Sequence, residues 1–326
     1  MKKNIKIFCT VGSKTINKKF LNFINNKISL VRINMSHINI IDLRKTILLI
    51  RKYCSTPICL DTEGAQIRTK VKKTIYYKKG NIGYIQKEKG RFNLYPENVF
   101  NKLKKNDILN IGFENLKIKI IKKISSKAKF KVIENGWLKN NKGTHLENRK
   151  IKLNFLTNKD FKAIDIAKKL KIKNFALSFT NDHHEIKKFN LLLPKQKKIF
   201  KLETSNVMKN LSKMFKYGKY FLIDRGDLSK EVKIERIPFF QRLIFQKARR
   251  FKNVEIYSAT DYLGSMVDKP YPSRAEVNDV YNTLELGAAG LVLTAETAIG
   301  KFPEKSVNFL IKMINTYKQS YNFKKL

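Results

Sequence analysis

Eight short apolar runs, each too brief for a buried helix, recur along the chain and mostly alternate with stretches of helical periodicity. No other feature limits the fold as sharply. The runs are Ile5 to Cys9, Ile28 to Ile33, Pro57 to Leu60, Phe175 to Phe179, Ile199 to Leu202, Tyr220 to Ile223, Val254 to Ser258 and Gly290 to Leu293. Continuous apolar runs of this length suit strands covered on both faces, as in a parallel sheet. Candidate helices lie between them at Ile40 to Tyr53, Lys159 to Leu170, Val207 to Tyr217, Ile237 to Phe251 and Ala275 to Leu286. A last one, Pro303 to Tyr317, has proline in its first turn and apolar residues at helical spacing. The pattern predicts an α/β fold, a closed TIM (β/α)8 barrel.

The spacing breaks once, between the third and fourth strands. There apolar and polar residues alternate, as in Ile108 to Ile111 and Leu116 to Ile121, with Gly80, Gly83, Gly90, Gly112, Gly136 and Gly143 as punctuation. This predicts a small β-rich domain inserted after strand 3, residues 70–152, with 1–69 and 153–326 forming the barrel. An insertion leaving a barrel at its catalytic end is well placed to act as a lid, although a structural appendage would give the same pattern.

Charge enters the argument as a test of partners. Lys and Arg total 69 against 26 acidic residues, a formal net charge of +43. Lysine is spread through the whole chain, with no basic stripe interleaved with aromatics and no zinc spacing, so non-specific polyanion binding is expected but no specific nucleic-acid role. No apolar stretch approaches the roughly 20 residues of a membrane span, and the N-terminal run is too short for a signal peptide. Cys9, Cys54 and Cys59 show no paired spacing and sit in or near apolar runs. Buried free thiols in a reducing, cytoplasmic setting follow.

Where the apolar runs end, charges begin. Lys201-Leu202-Glu203 and, about twenty residues on, Asp224-Arg225-Gly226-Asp227-Leu228 both close such runs, so their charges fall where strands leave the sheet. Glu203 and Asp227 offer carboxylates to a hard cation, and Lys201 a fixed positive charge for a phosphate oxygen. A metal-assisted phosphoryl site is one reading; two unrelated strand ends with solvated charges is the other.

Further segments follow in a fixed order: Cys9-Thr10-Val11-Gly12, Val31 to His37, Leu60 to Gly64 with Ile67-Arg68-Thr69, then the two above, Ser258-Ala259-Thr260, Lys269 to Glu276 and Thr294 to Ala298. This series resembles pyruvate kinase from about residue 5 to residue 310. Asn135-Gly136-Trp137-Leu138 with Lys142-Gly143 resembles the family's lid segment. The resemblance implies transfer of phosphate from phosphoenolpyruvate to ADP, giving pyruvate and ATP, with Mg²⁺ and K⁺. By resemblance, Glu203 and Asp227 hold Mg²⁺, while Asn34, Ser36, Asp61 and Thr62 hold K⁺. Lys201 meets the phosphoryl group in flight, Arg32 and Arg68 hold phosphate oxygens, and Gly226 offers an amide to the substrate carboxylate. Thr260 stands beside the enolate carbon, Thr294 and Glu296 belong to proton delivery, and His37 and Lys142 lie toward the nucleotide.

The chain ends after the helix following the eighth strand, so the family's usual carboxy-terminal domain, its sugar-phosphate control and part of its tetramer contact are expected to be missing. A homodimer stays open. The charge-handling centre survives better than its periphery: Ser13 and Ala65 stand where proline is usual, Glu63 where lysine is common, Thr204 for asparagine, Asp261 for glutamine, and Thr180-Asn181 for a basic pair. The segment Ile111 to Asn115 lacks the paired aspartates of family lids. Asp224 replaces a small alanine and brings a carboxylate toward the place of the substrate carboxylate, where like charges repel. Two alternatives therefore stand beside the kinase: a paralogue acting on another enolpyruvyl or phosphate substrate, for example in surface-sugar metabolism, and a non-catalytic ligand-binding relative.

Overall fold

Each of the eight apolar runs contributes a strand in the computed structural model, which describes residues 4–88, 90–112 and 116–323, with side chains through 320. Of the segment Ile111 to Asn115, residues Phe113, Glu114 and Asn115 lie outside the described residues. The chain divides into two units, Met1–Gly64 with Asn158–Leu326, and Ala65–Thr157. The second is somewhat wider than the 70–152 expected, and Arg68 belongs to it.

The first unit is a closed, all-parallel barrel. Its strands are β1 (Lys6–Val11), β2 (Leu30–Asn34), β3 (Ile58–Asp61), β4 (Asn174–Leu177), β5 (Lys197–Leu202), β6 (Tyr220–Asp224), β7 (Glu255–Ala259) and β8 (Gly290–Leu293). Neighbours in the ring are neighbours in this order, and β8 closes on β1. Phe179, expected in the fourth strand, instead lies beyond it with a φ of +52°, a left-handed turn that ends the pairing. The six expected helices form close to their expected limits, the last running on to Phe323, while Lys18–Ile24 and His183–Leu192 are two more that the periodicity did not mark. Ile40–Tyr53 buries Leu43, Thr46, Ile47 and Ile50, spaced three and four apart on one face.

Strand periodicity explains how a barrel of apolar runs acquires a polar mouth. Phe8, Leu30, Cys59, Ala176, Ile199, Leu222 and Tyr257 share one buried cluster inside the ring. Side chains two residues apart on a strand share a face. The next inward positions are therefore Thr10, Arg32, Asp61, Ser178, Lys201, Asp224 and Ala259. Six of these seven are polar or charged, and they form the layer above the apolar one, at the carboxyl ends of the strands.

The second unit is itself a closed barrel of seven strands: Ile67–Val71, Ile82–Gln86, Phe92–Tyr95, Ile108–Ile111, Leu116–Lys123, Lys127–Glu134 and Gly143–Leu146. A two-stranded sheet, Ile75–Tyr77 with Gly136–Leu138, accompanies it. Alternation along its strands sends Leu109, Ile111, Leu116, Ile118, Ile120, Phe130 and Val132 into one core. Arg149 clamps the nearly buried Asp107 through Nε and Nη2, both bonds 2.6 Å long, a fork geometry that only arginine offers.

Candidate active site

Lys201, from β5, is the centre of the polar layer and almost wholly buried. Its Nζ lies 2.5 Å from Glu203 Oε1, 3.2 Å from Asp224 Oδ2 and 3.5 Å from Asp61 Oδ2, and donates to Ser178 Oγ at 3.3 Å. Burial opposes its charge. The nearby Asp61, Glu203 and Asp224 outweigh that cost and hold its pKa above that of an ordinary lysine. Arg32, one strand beyond Asp61, donates through Nε to Asp61 Oδ2 at 2.7 Å and through Nη1 to Thr10 Oγ1 at 3.0 Å. Buried among carboxylates, it too stays charged.

The carboxylates respond differently to the same surroundings. Burial pushes Glu203 up to about 8 against the pull of Lys201, with Asp227 and Asp224 adding to the rise. The Phe179 amide, turned inward by its left-handed backbone, donates to Glu203 Oε2 at 2.6 Å. Asp224 is also buried, but Lys201, Arg32 and the Thr260 hydroxyl, which donates to its Oδ1 at 2.7 Å, hold it well below the usual carboxylate range. Ligand oxygens of Glu203, Asp224 and Asp227 lie within 4.8 Å of one another, and Asp227 Oδ1 also receives Lys230 at 2.5 Å. Four carboxyl groups, those of Asp61, Glu203, Asp224 and Asp227, thus face three cations, Lys201, Arg32 and Lys230, and together offer an all-oxygen donor set. Such a set matches a hard divalent cation.

The loop after β7 is under backbone tension. Thr260 and Asp261 have φ of +82° and +56°, rare for any residue but glycine and costly for a β-branched one. The Arg225 guanidinium holds this turn by donating to the Thr260 carbonyl from Nε at 3.1 Å and Nη2 at 2.5 Å, with its own plane over the Tyr262 ring. Gly226 permits the approach, since a Cβ there would sit 2.7 Å from Thr260 Cγ2.

The oxygens read as a monovalent-cation set come from adjoining strand ends. Asn34 pairs with Asp61 in register, Asn34 Oδ1 accepts from the Ser36 amide at 3.0 Å, and Thr62 Oγ1 accepts from the Ser178 amide at 3.0 Å. The Asp61 carboxylate is already engaged by Arg32 and by Ser178 Oγ at 3.1 Å. His37, on the same loop, is exposed, and its amide donates to the Asn34 carbonyl. Thr294 and Glu296 are joined to each other: Glu296 Oε2 accepts from the Thr294 amide at 2.7 Å and its hydroxyl at 3.2 Å, while Oε1 accepts from the Leu263 amide. Arg68 and Lys142 lie in the second unit, Arg68 on the strand Ile67–Val71 and Lys142 just before the strand Gly143–Leu146; Arg68 opposes Gly143 and the Lys142 amide donates to Thr69 Oγ1.

Sequence reasoning missed Ser178, Thr10 and Arg225. The first two carried a signal, because each stands two residues after an inward apolar residue of its strand. Arg225 gave none beyond its place in a charged segment.

Comparison with known proteins follows the same residues. Residues 2–307 match the family described as pyruvate kinase, barrel domain. Pyruvate kinase of Thermotoga maritima is 28% identical, over 98% of this chain and 72% of its own length. Plastidial pyruvate kinase 3, chloroplastic, of Arabidopsis thaliana is 28% identical over 95% of this chain, and pyruvate kinase of Staphylococcus aureus 27% over 98%. The chain spans 57% and 58% of the length of those two relatives.

Proposed function

The chain belongs to the pyruvate kinase barrel-domain family, and on that footing we propose that it transfers the phosphoryl group of phosphoenolpyruvate to ADP, giving pyruvate and ATP, with Mg²⁺ and K⁺. The observation that carries this proposal is the gathering of Lys201 and Arg32, in the polar layer at the carboxyl ends of the barrel strands, with Glu203 and Asp227 from the segments just beyond. Phosphoryl transfer depends on positioned charge rather than on covalent help from the protein. A buried ammonium and guanidinium supply that charge where solvent cannot screen it.

Each side chain then has a task. Lys201 offsets charge on the transferring phosphoryl group, and Arg32 holds a phosphate oxygen. Glu203 and Asp227, with Asp224 beside them, would hold the divalent cation, which when bound would neutralise substrate oxygens. Thr260 stands beside the carbon that accepts a proton, and the hydrogen-bonded pair Thr294 and Glu296 conducts it. Gly226 offers its amide to the substrate carboxylate. Asn34, Ser36, Asp61 and Thr62 form the K⁺ site, with Asp61 shared between that site and Arg32. The roles of Arg68, Lys142 and His37 rest on the family resemblance alone. Three buried free cysteines suit a reducing, cytoplasmic location.

The test is a coupled assay of pyruvate release from phosphoenolpyruvate and ADP. Activity should require Mg²⁺, vanish with a chelator and rise with K⁺; a pure protein that binds phosphoenolpyruvate without turnover would sink the proposal. One observation favours a second reading. Asp224, bonded to Lys201 and Thr260, adds a buried carboxylate two residues before Gly226, the residue proposed to meet the substrate carboxylate, which would suit a related enolpyruvyl or phosphate compound bearing less negative charge.

A further inference from the structure

An ammonium group has three hydrogens to give. Around Lys201 Nζ stand four acceptors, Glu203, Asp224, Asp61 and Ser178, so no donor is left pointing at an incoming anion. Three of the four are local or fixed: Glu203 stands two residues after Lys201, just past the end of β5, Asp61 is anchored by Arg32, and Ser178 is fastened to the Thr62 carbonyl at 2.7 Å. Asp224 is the exception. It comes from the last position of β6, at the rim, just before Gly226 and Asp227, and both its oxygens are used on groups the proposed reaction needs. Oδ2 takes Lys201 and Oδ1 takes the Thr260 hydroxyl.

We propose that Asp224 is a specificity-determining residue that acts as a built-in competitor for the substrate's phosphoryl group, occupying the Lys201 and Thr260 donors and setting a low affinity for anions that arrive without a neutralising cation. This rests on the role of Lys201 as the phosphoryl contact. Two effects add. The carboxylate must give up Lys201 before a phosphate oxygen can take it, and its own negative charge repels the phosphate from a few ångströms away in surroundings that screen poorly. A divalent cation between Glu203, Asp224 and Asp227 relieves both, since it draws the Asp224 charge to itself. The site therefore discriminates against bare phosphate and free phosphoenolpyruvate, and accepts them together with a metal ion.

The experiment reads binding, not turnover. Inorganic phosphate is titrated into the parent, Asp224→Asn and Asp224→Ala by calorimetry, once with chelator and once with saturating Mg²⁺. Asp224→Asn keeps the shape and an oxygen for Thr260 while removing the charge. With chelator, both variants should bind phosphate about tenfold or more tighter than the parent, and the gain should shrink in Mg²⁺. Adding Lys201→Met to Asp224→Asn should erase it. If Asp224 is merely a structural partner of Lys201, Asp224→Asn will bind phosphate no better than the parent or worse, and that result overturns the proposal. Should one variant fail to fold by circular dichroism, the other supplies the same comparison. A protein that makes no pyruvate yet shows the gain refutes the kinase reaction while leaving Asp224 its role; the reverse result separates them the other way.

Discussion

Lys201 carries two burdens at once, and substitution should expose both. Replacing it with methionine removes the charge offered to the phosphoryl group and should lower pyruvate formation on the order of 10²-fold or more in the coupled assay. It also strands Asp61, Glu203 and Asp224 in a buried layer without their shared cation, and breaking buried pairs in this way typically costs about 3–5 kcal/mol. Calorimetric melting should therefore fall in Lys201→Met and recover in part when Asp224→Asn is added, because one of the stranded charges is gone. Equal melting of the single and double variants would show that Asp224 does not share the Lys201 charge. At this scale the sequence was informative about charge and silent about partnership. Lys201, Glu203 and Asp227 announced themselves at the ends of apolar runs, whereas the place of Ser178, two residues after inward Ala176, signalled only that it faces inward and not that Asp61 and Lys201 close on it.

Among the elements, the loops that end β6 and β7 form one device. Gly226 lets the turn after β6 come within contact of Thr260, whose left-handed backbone is held by Arg225. Gly226→Ala should push Thr260 aside and reduce kcat strongly while the melting temperature moves little; a large loss of stability with intact kcat would contradict this account. The helix Arg274–Glu285 illustrates local coding. Ser273 and Glu276 form a reciprocal capping box, and Glu276 also accepts from the Ser265 amide at 2.6 Å and hydroxyl at 2.5 Å, so it fastens the helix to the loop before it. Glu276→Ala should cost about 1 kcal/mol. Burial opposes ionisation of this carboxyl, but the Ser265 and Ser273 bonds prevail and keep its pKa below the ordinary 4.5. Its contribution is thus present above pH 4.5 and lost as pH falls further. Urea melts at pH 7 and pH 3 should show a smaller stability difference in Glu276→Gln than in the parent.

For the molecule as a whole, a formal net charge of +43 on 326 residues implies strong self-repulsion at low ionic strength. Raising NaCl from about 20 mM to about 500 mM shortens the screening length from roughly 20 Å to a few ångströms and should raise the melting temperature. A melting temperature that falls with salt would mean that attractive surface pairs outweigh the repulsion. Weak retention on polyanions should disappear over the same range, as expected of binding driven by counterion release. Among the described residues no helix is long and apolar enough to cross a membrane.

Hydrophobic periodicity is a local property, so the chain by itself fixed the eight barrel strands, most helix limits and the alternating β insertion. Element ends were harder, as at Phe179, where a left-handed turn decides the stop and no residue type signals it. The same local rule, read two residues beyond each inward apolar position, marks Arg32, Asp61, Lys201 and Asp224 as lining the mouth. What the strands could not announce is which of these share one cation. That depends on the register between β3, β4, β5 and β6, which come from distant parts of the chain and meet only when the ring closes. Closure is what converts scattered charges into a buried cluster, because only then is water excluded and each carboxylate forced to find its counter-ion in a side chain far away in sequence.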